Sequence, residues 1–247
     1  MPLMFFHLLE RSLSTTVENG KYVTEGDRFK IFCRDWYLWC LQLVPTWKHW
    51  LEMGARREGM TRYKYADGLA FSGDLDGGFC FPQVYCVPLS FSQNGGGVRF
   101  TDDVIFASEK KGLFQLVALL RHVEELGSAG NALRDLDTVS TGEIRADEAT
   151  YICHDQVASK PVVVTAEKAS GKMYRVATDA EFIQDPTISR DRPAPMFYNE
   201  QRLLEETKGK RYVILRPDRF VFAVCANKAE LDRAAASIPR ILGGNSV

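Results

Sequence analysis

Residues that could carry acid–base chemistry are concentrated between positions 49 and 67. The candidate catalytic residues are His49, Arg62, Tyr63, Tyr65 and Asp67. A histidine titrates near neutral pH and can act as a general base, and Tyr, Asp and Arg side chains can donate, accept or orient a proton. The alternative interpretation of residues 61–65, whose side chains alternate in character, is a half-exposed β-strand.

Aromatic side chains could form a binding surface next to these groups. All four tryptophans of the chain lie in its first quarter, on segments with helical spacing. They predict either an aromatic wall around a flat organic ligand or the packed core of a helical layer, and the sequence leaves both open. The candidate substrate-binding residues are Trp36, Trp39, Trp47, Trp50, Phe81 and Tyr85.

Three further motifs favour structural roles. Asp102 and Asp103 are neighbours in a segment predicted to be extended, where they would point to opposite faces, so a cap or loop is favoured over a carboxylate dyad. His154 beside Asp155 could act as a base only if a turn brought the two together, and a structural histidine is the alternative. The glycines at 95–97 lack the residues of a phosphate loop, and no spacing typical of a metal site occurs.

Composition limits the possible partners. Lys and Arg number 31 and Asp and Glu 32, and the resulting net charge of −1 does not favour nucleic acid or anionic lipid. No apolar run reaches the roughly 18 residues of a membrane span, and the N-terminus lacks the features of a secretion signal. The six cysteines show no C-x-x-C spacing, which predicts reduced thiols in a cytoplasmic protein.

The elements that must position these residues change in type along the chain. Helices are predicted for residues 3–17, for a segment starting at the N-cap Asp27, and for 47–53, 120–126, 200–206 and 228–238. Strands are predicted at 61–65 and 81–87 and, after a short extended stretch at 104–106, at 113–120, 150–153, 161–165, 173–177, 212–215 and 221–225.

This order of elements predicts an α+β protein of two domains. Residues 1–97 would form a helical layer with a small strand pair, and residues 98–247 a thioredoxin-like α/β domain without a C-x-x-C motif. The late strand hairpin before a C-terminal helix is the layout expected of a thioredoxin-like domain. Such a layout carries no chemistry by itself.

Three stretches resemble one family of enzymes. Residues 211–222, Arg-Tyr-Val-Ile-Leu-Arg-Pro-Asp-Arg-Phe-Val-Phe, are similar to the closing hairpin of class A FAD-dependent aromatic hydroxylases, of the phenol hydroxylase and 3-(3-hydroxyphenyl)propionate hydroxylase-like groups. Thr-Asp-Asp at 101–103 with Phe-Gln-Leu-Val at 114–117 looks like the start of their C-terminal thioredoxin-like domain. Residues 59–63 with 81–85 resemble the preceding linker, so the resemblance covers most of residues 50–240.

The resemblance implies an origin in a flavin monooxygenase, but the flavin-holding motifs of that family are not present. The G-x-G-x-x-G turn of the dinucleotide-binding unit and the later Gly-Asp segment are both missing from these residues. We therefore expect no cofactor and a tailoring protein of secondary metabolism, namely a non-redox isomerase, cyclase or hydrolase for an aromatic or polyketide-like substrate.

Two alternative functions follow from the same resemblance. The first is a non-catalytic accessory or dimerisation subunit of a separately encoded FAD-dependent monooxygenase, and the second is an FAD-dependent aromatic monooxygenase itself. The expected partners are a small aromatic or polyketide-like molecule together with a second copy of the chain or a separate FAD-domain protein.

Overall fold

A computed structural model of the protein describes residues 13–14, 16–53, 62–66, 69–89, 97–154, 172–190, 192 and 198–243, without the side chains of residues 50 and 53. The chain divides into two compact units, Met1–Leu69 and Ala70–Val247. The predicted boundary after residue 97 differs from this division. It falls inside the second unit because a strand before it, Tyr85–Pro88, pairs with a strand far beyond it, Lys172–Val176.

The described part of the first unit is helical. Residues 16–23 form one helical segment, followed by α1 (Arg28–Gln42) and α2 (Pro45–Met53). The predicted N-cap of α1 is confirmed, because Asp27 Oδ1 accepts from the backbone N–H groups of Phe29 at 2.8 Å and Lys30 at 3.3 Å. Pro45 starts α2 because the first helical turn requires no N–H donor from it.

Two predictions for the first unit are wrong. The helical segment at residues 16–23 continues past residue 17, where the predicted helix ends; most of the predicted helix at 3–17 lies outside the described residues. Residues 62–66 have no regular secondary structure, so the predicted strand at 61–65 does not form there. An extended segment becomes a strand only when a neighbour pairs with its backbone, and the strand Tyr85–Pro88 pairs with other segments.

The second unit is built around a seven-stranded mixed sheet in the order β2-β1-β5-β4-β3-β6-β7. Its strands are β1 (Tyr85–Pro88), β2 (Arg99–Phe100), β3 (Gln115–Leu120), β4 (Thr150–Cys153), β5 (Lys172–Val176), β6 (Tyr212–Leu215) and β7 (Val221–Cys225). The pairs β3–β4 and β4–β5 are parallel, and the remaining neighbours are antiparallel. The predicted mixed helix-and-strand class is confirmed.

Seven described helices accompany the sheet. They are α3 (Thr101–Ile105), α4 (Leu126–Leu133), α5 (Leu136–Val139), α6 (Asp179–Gln184), α7 (Pro186–Ser189), α8 (Arg202–Glu206) and α9 (Lys228–Gly243). Leu231, Ala234 and Ile238 of α9 are buried at helical spacing, and this face packs against β7.

Most strand predictions in the second unit are confirmed, because strands buried on both faces appear as continuous β-branched and apolar runs. Every residue of β3, β4, β6 and β7 is buried. The strand predicted at 161–165 lies outside the described residues. The stretch at 104–106 was predicted to be extended, yet residues 101–105 form α3, whose first turn carries Asp102 and Asp103 at the positive end of the helix.

The predicted helix at 120–126 is also wrong. Leu120 ends β3, residues Val123–Glu125 form a 3₁₀ turn, and α4 begins only at Leu126. Among the described residues, no helix is both long and apolar enough to cross a membrane.

Candidate functional site

The three described tryptophans of the first unit are exposed to solvent. Trp36 is 61% exposed and Trp39 57% exposed on α1, and Trp47 is 53% exposed on α2. They are therefore not core residues of the unit in this structure. Trp50 lies on α2 as well, but its side chain is outside the described part.

Two of these rings belong to a continuous exposed row on α1, which we call the aromatic seam. The seam consists of Phe29, Phe32, Trp36, Trp39 and Leu43, and each of them is more than half exposed. Their spacing alternates between three and four residues, which places them on one stripe of the helix. This is the pattern by which one helix packs against another along a shared seam.

Contacts on the opposite side of α1 leave the aromatic seam facing solvent. Ile31, Leu38 and Leu41 on that side are partly buried. Arg34 donates from Nη1 to the carbonyl oxygen of Tyr22 at 3.0 Å, and its guanidinium lies 5.8 Å from the centre of the Tyr22 ring. These contacts join α1 to the helical segment at 16–23 and direct the apolar stripe away from it.

The candidate catalytic residues are carried by separate elements of the first unit. His49 is half-buried on α2, whereas Arg62, Tyr63 and Tyr65 lie in the irregular segment at 62–66. Asp67 lies outside the described residues. Tyr65 is 53% exposed and Tyr63 half-buried.

Phe81 and Tyr85 belong to the second unit, whereas the tryptophans belong to the first. Phe81 is 1% exposed and belongs to the main hydrophobic core. The ring of Tyr85 stacks on Phe182 with centroids 4.3 Å apart and tilts against Tyr198 at 4.8 Å. In this structure both side chains pack against neighbouring protein groups.

A polar cluster forms around Asp102, for which the sequence favours a cap or a loop, beside the turn between β6 and β7. Asp102 Oδ2 accepts from Arg219 Nη2 at 2.8 Å and from Gln83 Nε2 at 3.2 Å. The other carboxylate oxygen of Asp102 and the Nε of Arg219 are buried and have no hydrogen-bond partner within the described structure. With Cys80, whose backbone forms an isolated bridge to Phe220, these residues form the Asp102 cluster.

Backbone geometry at the cluster is unusual. Arg219 lies in the turn between β6 and β7 with a φ of 69°, in the left-handed region that residues other than glycine seldom adopt. Its neighbour Arg216 is buried, donating to the carbonyl oxygen of Ala70 at 3.1 Å and to Asp218 Oδ2 at 2.6 Å. The turn is thereby anchored, and single residues in the left-handed region occur both in tight hairpin loops and at functional sites.

Burial shifts the pKa values of two side chains in the Asp102 cluster. It raises the pKa of the Asp102 carboxyl above its usual range, although the Arg219 guanidinium acts in the opposite direction. Burial also raises the pKa of the Cys80 thiol. A carboxyl with a raised pKa holds a proton more readily than a free carboxyl does, and a guanidinium beside it can stabilise a negative charge.

Sequence reasoning missed this cluster for a topological reason. Asp102 follows β2, whereas Arg219 belongs to a hairpin near the end of the chain, and only the folded sheet brings them together. The one available signal was the turn Arg216-Pro217-Asp218-Arg219, because three charged residues there separate two buried apolar strands.

Two described turns of the second unit do not fit the phosphates of FAD, the cofactor that the resemblance implies. Asp185 Oδ2 accepts from the backbone N–H of Val98 at 2.7 Å, and a Cβ on Gly97 would lie 2.5 Å from the same oxygen. This carboxylate would repel a pyrophosphate at the described end of the glycine loop. After β3, Glu125 Oε2 accepts from the backbone N–H of Arg121 at 2.9 Å, so a carboxylate caps that turn too.

The side chains that most often bind metal ions or form disulfides give no further site among the described residues. The described residues contain no group of three His, Cys, Asp or Glu side chains that could hold a metal ion. All six cysteines are free thiols, of which Cys86, Cys153 and Cys225 are buried.

No model of a protein family, no curated protein and no solved structure matches this chain.

Proposed function

We propose that the protein is a non-catalytic accessory subunit that docks, through the aromatic seam of α1, onto the flavin-binding domain of an aromatic hydroxylase carried by another chain. The observation that supports this proposal is the exposure of the seam. Phe29 at 74% and Phe32 at 67% are among the most exposed large hydrophobic residues of the described structure. Apolar patches of this kind mark binding surfaces in soluble proteins.

The seam is large enough to contribute to a stable interface. An aromatic side chain removes roughly 150–250 Å² of surface from water when it is enclosed, so four half-exposed rings offer on the order of 500 Å². Burial of that area provides on the order of 10 kcal/mol before the entropic costs of association, which are of comparable size. A partner must therefore match the seam closely.

The spacing of the seam favours a helix as the surface that it contacts. Residues that alternate at intervals of three and four insert as knobs between the side chains of a facing helix. The resemblance indicates where such a helix would come from, because the hydroxylases carry a flavin-binding domain before the region that this chain resembles. A matching apolar helix on that domain would complete the interface.

The second unit supports the same origin. The parallel pair β3–β4 is followed by the hairpin β6–β7 and the helix α9, and the hairpin lies directly beside β3. This arrangement supports the thioredoxin-like assignment that the resemblance implies for residues 98–247. In an accessory subunit such a domain would serve as a scaffold.

A binding experiment tests the accessory role. The flavin-binding domain of a phenol hydroxylase, purified with its FAD, is titrated with this protein, and complex formation is followed by flavin fluorescence and light scattering after size exclusion. We expect a one-to-one complex. The double variant Trp36→Ser/Trp39→Ser should weaken binding at least about tenfold, because buried tryptophans are frequent binding hot spots.

The matched control is Tyr37→Ser. Tyr37 is 52% exposed on the same helix but lies outside the seam, so its removal should leave the affinity unchanged. Equal losses in both variants would contradict a specific seam interface. A dimer of this chain that the tryptophan variant dissociates would instead identify a second copy as the occupant.

A second candidate function is favoured by the Asp102 cluster. The raised pKa of Asp102, the unpaired Arg219 Nε and the left-handed backbone at Arg219 together suit proton transfer on an anionic intermediate. This supports a cofactor-independent isomerase, cyclase or hydrolase for an aromatic or polyketide-like substrate. Conversion of such a compound by the protein, lost in Asp102→Asn, would establish it.

The remaining alternative is an FAD-dependent monooxygenase, and the visible spectrum of the purified protein tests it. Because carboxylates occupy the two described turns that could meet a pyrophosphate, we expect no flavin absorbance after addition of FAD and gel filtration. A flavin spectrum that persists would overturn that expectation.

A further inference from the structure

The amine of Lys110 forms a separate candidate site at the start of the parallel strand β4. We propose that Lys110 is a nucleophilic amine that forms a reversible imine with a small aldehyde or ketone. The site does not depend on the aromatic seam or on the Asp102 cluster, and it goes beyond both functions proposed above.

The loop before β3 directs Lys110 toward the sheet. The backbone N–H of Lys110 donates to the carbonyl oxygen of Ala107 at 3.0 Å, which closes a turn. The Nζ then donates to Thr150 Oγ1 at 2.7 Å. Thr150 is fully buried as the first residue of β4, so the half-buried amine lies at the end of a central strand of the sheet.

The neighbouring carboxylates are bound to other groups. Glu148 accepts from the backbone N–H groups of Lys111 at 2.9 Å and Gly112 at 2.8 Å. Glu109 forms an ion pair with Lys172. Among the described residues Lys110 therefore has a neutral hydroxyl as its hydrogen-bond acceptor and makes no ion pair, an uncommon environment for a half-buried lysine.

These surroundings favour the neutral amine. Burial lowers the pKa of Lys110 to about 8, with Lys172 acting in the same direction and Glu148 and Glu109 opposing it. At pH 7 roughly a tenth of such amines are neutral, against fewer than about one in a thousand for an exposed lysine. Desolvated lysines of this kind are the nucleophiles that form Schiff bases.

The proposed step is balanced without a further reactant. The neutral Nζ attacks the carbonyl carbon, the C–N bond forms, and a proton passes from nitrogen to the former carbonyl oxygen. The resulting hydroxyl leaves as water with the remaining N–H proton, which gives the C=N bond of the imine. Thr150 Oγ1, which accepts a hydrogen bond from Nζ, can hold the amine in place during attack.

Reductive trapping tests the proposal on the full chain. The protein is incubated with acetaldehyde and sodium cyanoborohydride between pH 6 and 10, and ethylation of each lysine is followed by peptide mass spectrometry. We expect Lys110 to react at least about tenfold faster than Lys111 at pH 7, because its neutral fraction is larger. Its rate should reach half of its maximum near pH 8, where the pKa of the amine lies.

Substitutions at the two adjacent lysines distinguish imine formation at Lys110 from the general reactivity of lysine side chains. Lys111→Arg should leave the labelling of Lys110 unchanged, whereas Lys110→Arg should remove the fast phase, with circular dichroism showing that both variants fold. If Lys110 reacts no faster than Lys111, or if the midpoint of its rate lies above pH 9.5, the proposal is overturned.

Discussion

Three half-buried ionisable side chains of the second unit differ in which protonation state the fold favours. Arg175 forms an ion pair with Glu181, which also completes the capping box of α6 with Thr178, and these contacts lower the pKa of Glu181 to about 2. Burial is the largest influence on the other two side chains, raising the pKa of Asp102 and lowering the pKa of Lys110. The fold thus stabilises the charged form of Glu181, whereas it shifts the pKa of each of the other two side chains toward its neutral form, a direction that is frequent at functional sites.

Asp102→Asn tests this distinction at the level of stability. Because the folded state raises the pKa of Asp102, protonation stabilises the fold at low pH, and this contribution is lost as the pH rises through the raised pKa. Asparagine resembles the protonated aspartic acid side chain and carries no charge at any pH. We expect the variant to be as stable as the parent, or up to about 1 kcal/mol more stable, at pH 7, with the difference shrinking toward pH 4.

Urea denaturation at both pH values measures this difference, with Glu181→Gln as the matched control. Glu181 keeps its charge in the fold, so its stabilising effect is present above pH 4.5 and is lost as the pH falls toward 2. The control should therefore lose stability at pH 7. A loss of more than about 2 kcal/mol in Asp102→Asn would show that the Arg219 ion pair outweighs the cost of burial.

The loop at residues 72–78 shows how an irregular element is held on a sheet. The N–H of Ser72 donates to the carbonyl oxygen of Phe222 at 2.9 Å, and that of Gly78 donates to Val221 at 2.9 Å. Gly77 lies against the same strand, where an added Cβ would be 2.9 Å from the Ser72 carbonyl oxygen and nearer still to that of Phe222. Both obstacles are backbone atoms, which cannot rotate away.

Gly77→Ala should therefore destabilise the protein by about 2 kcal/mol or more, because the loop must move away from β7. The free energy of unfolding in urea measures the effect. Gly127→Ala is the control, since Gly127 lies in α4 with open space around it, and alanine there should be neutral or stabilising by up to about 1 kcal/mol. Equal effects of the two substitutions would contradict the close packing at Gly77.

At the scale of the whole molecule, burial is distributed unevenly between elements. The strands β3, β6 and β7 are buried at every residue, whereas α1 has no buried residue at all. Elements with few buried contacts open at a lower free energy than core strands. The stability of the sheet therefore does not extend to the helix that carries the aromatic seam.

Hydrogen–deuterium exchange followed by mass spectrometry measures this difference. In dilute protein without a partner, peptides covering β3, β6 and β7 should exchange at least about tenfold more slowly than those covering α1. Addition of a partner that covers the seam should slow exchange in α1 selectively. Protection of α1 equal to that of β6 in the free protein would contradict the prediction.

Local sequence signals account for the parts of the fold that were predicted correctly. The strands of the second unit are continuous apolar runs, and α1 begins after a side chain that accepts from its free backbone N–H groups. Both signals act within a few residues. The segment at 61–65 has strand-like alternation as well, but backbone pairing with a distant neighbour decides whether a strand forms.

The sequence by itself determined the mixed class of the protein, the positions of its central strands and the presence of an aromatic row with helical spacing. Only the tertiary structure decided that this row faces solvent, that Asp102 meets Arg219, and that Lys110 reaches the buried hydroxyl of Thr150. The physical reason is the distance along the chain over which each interaction acts. Propensity and capping act between neighbours along the chain, whereas exposure, desolvation and the pairing of charges depend on which distant segments the sheet brings together.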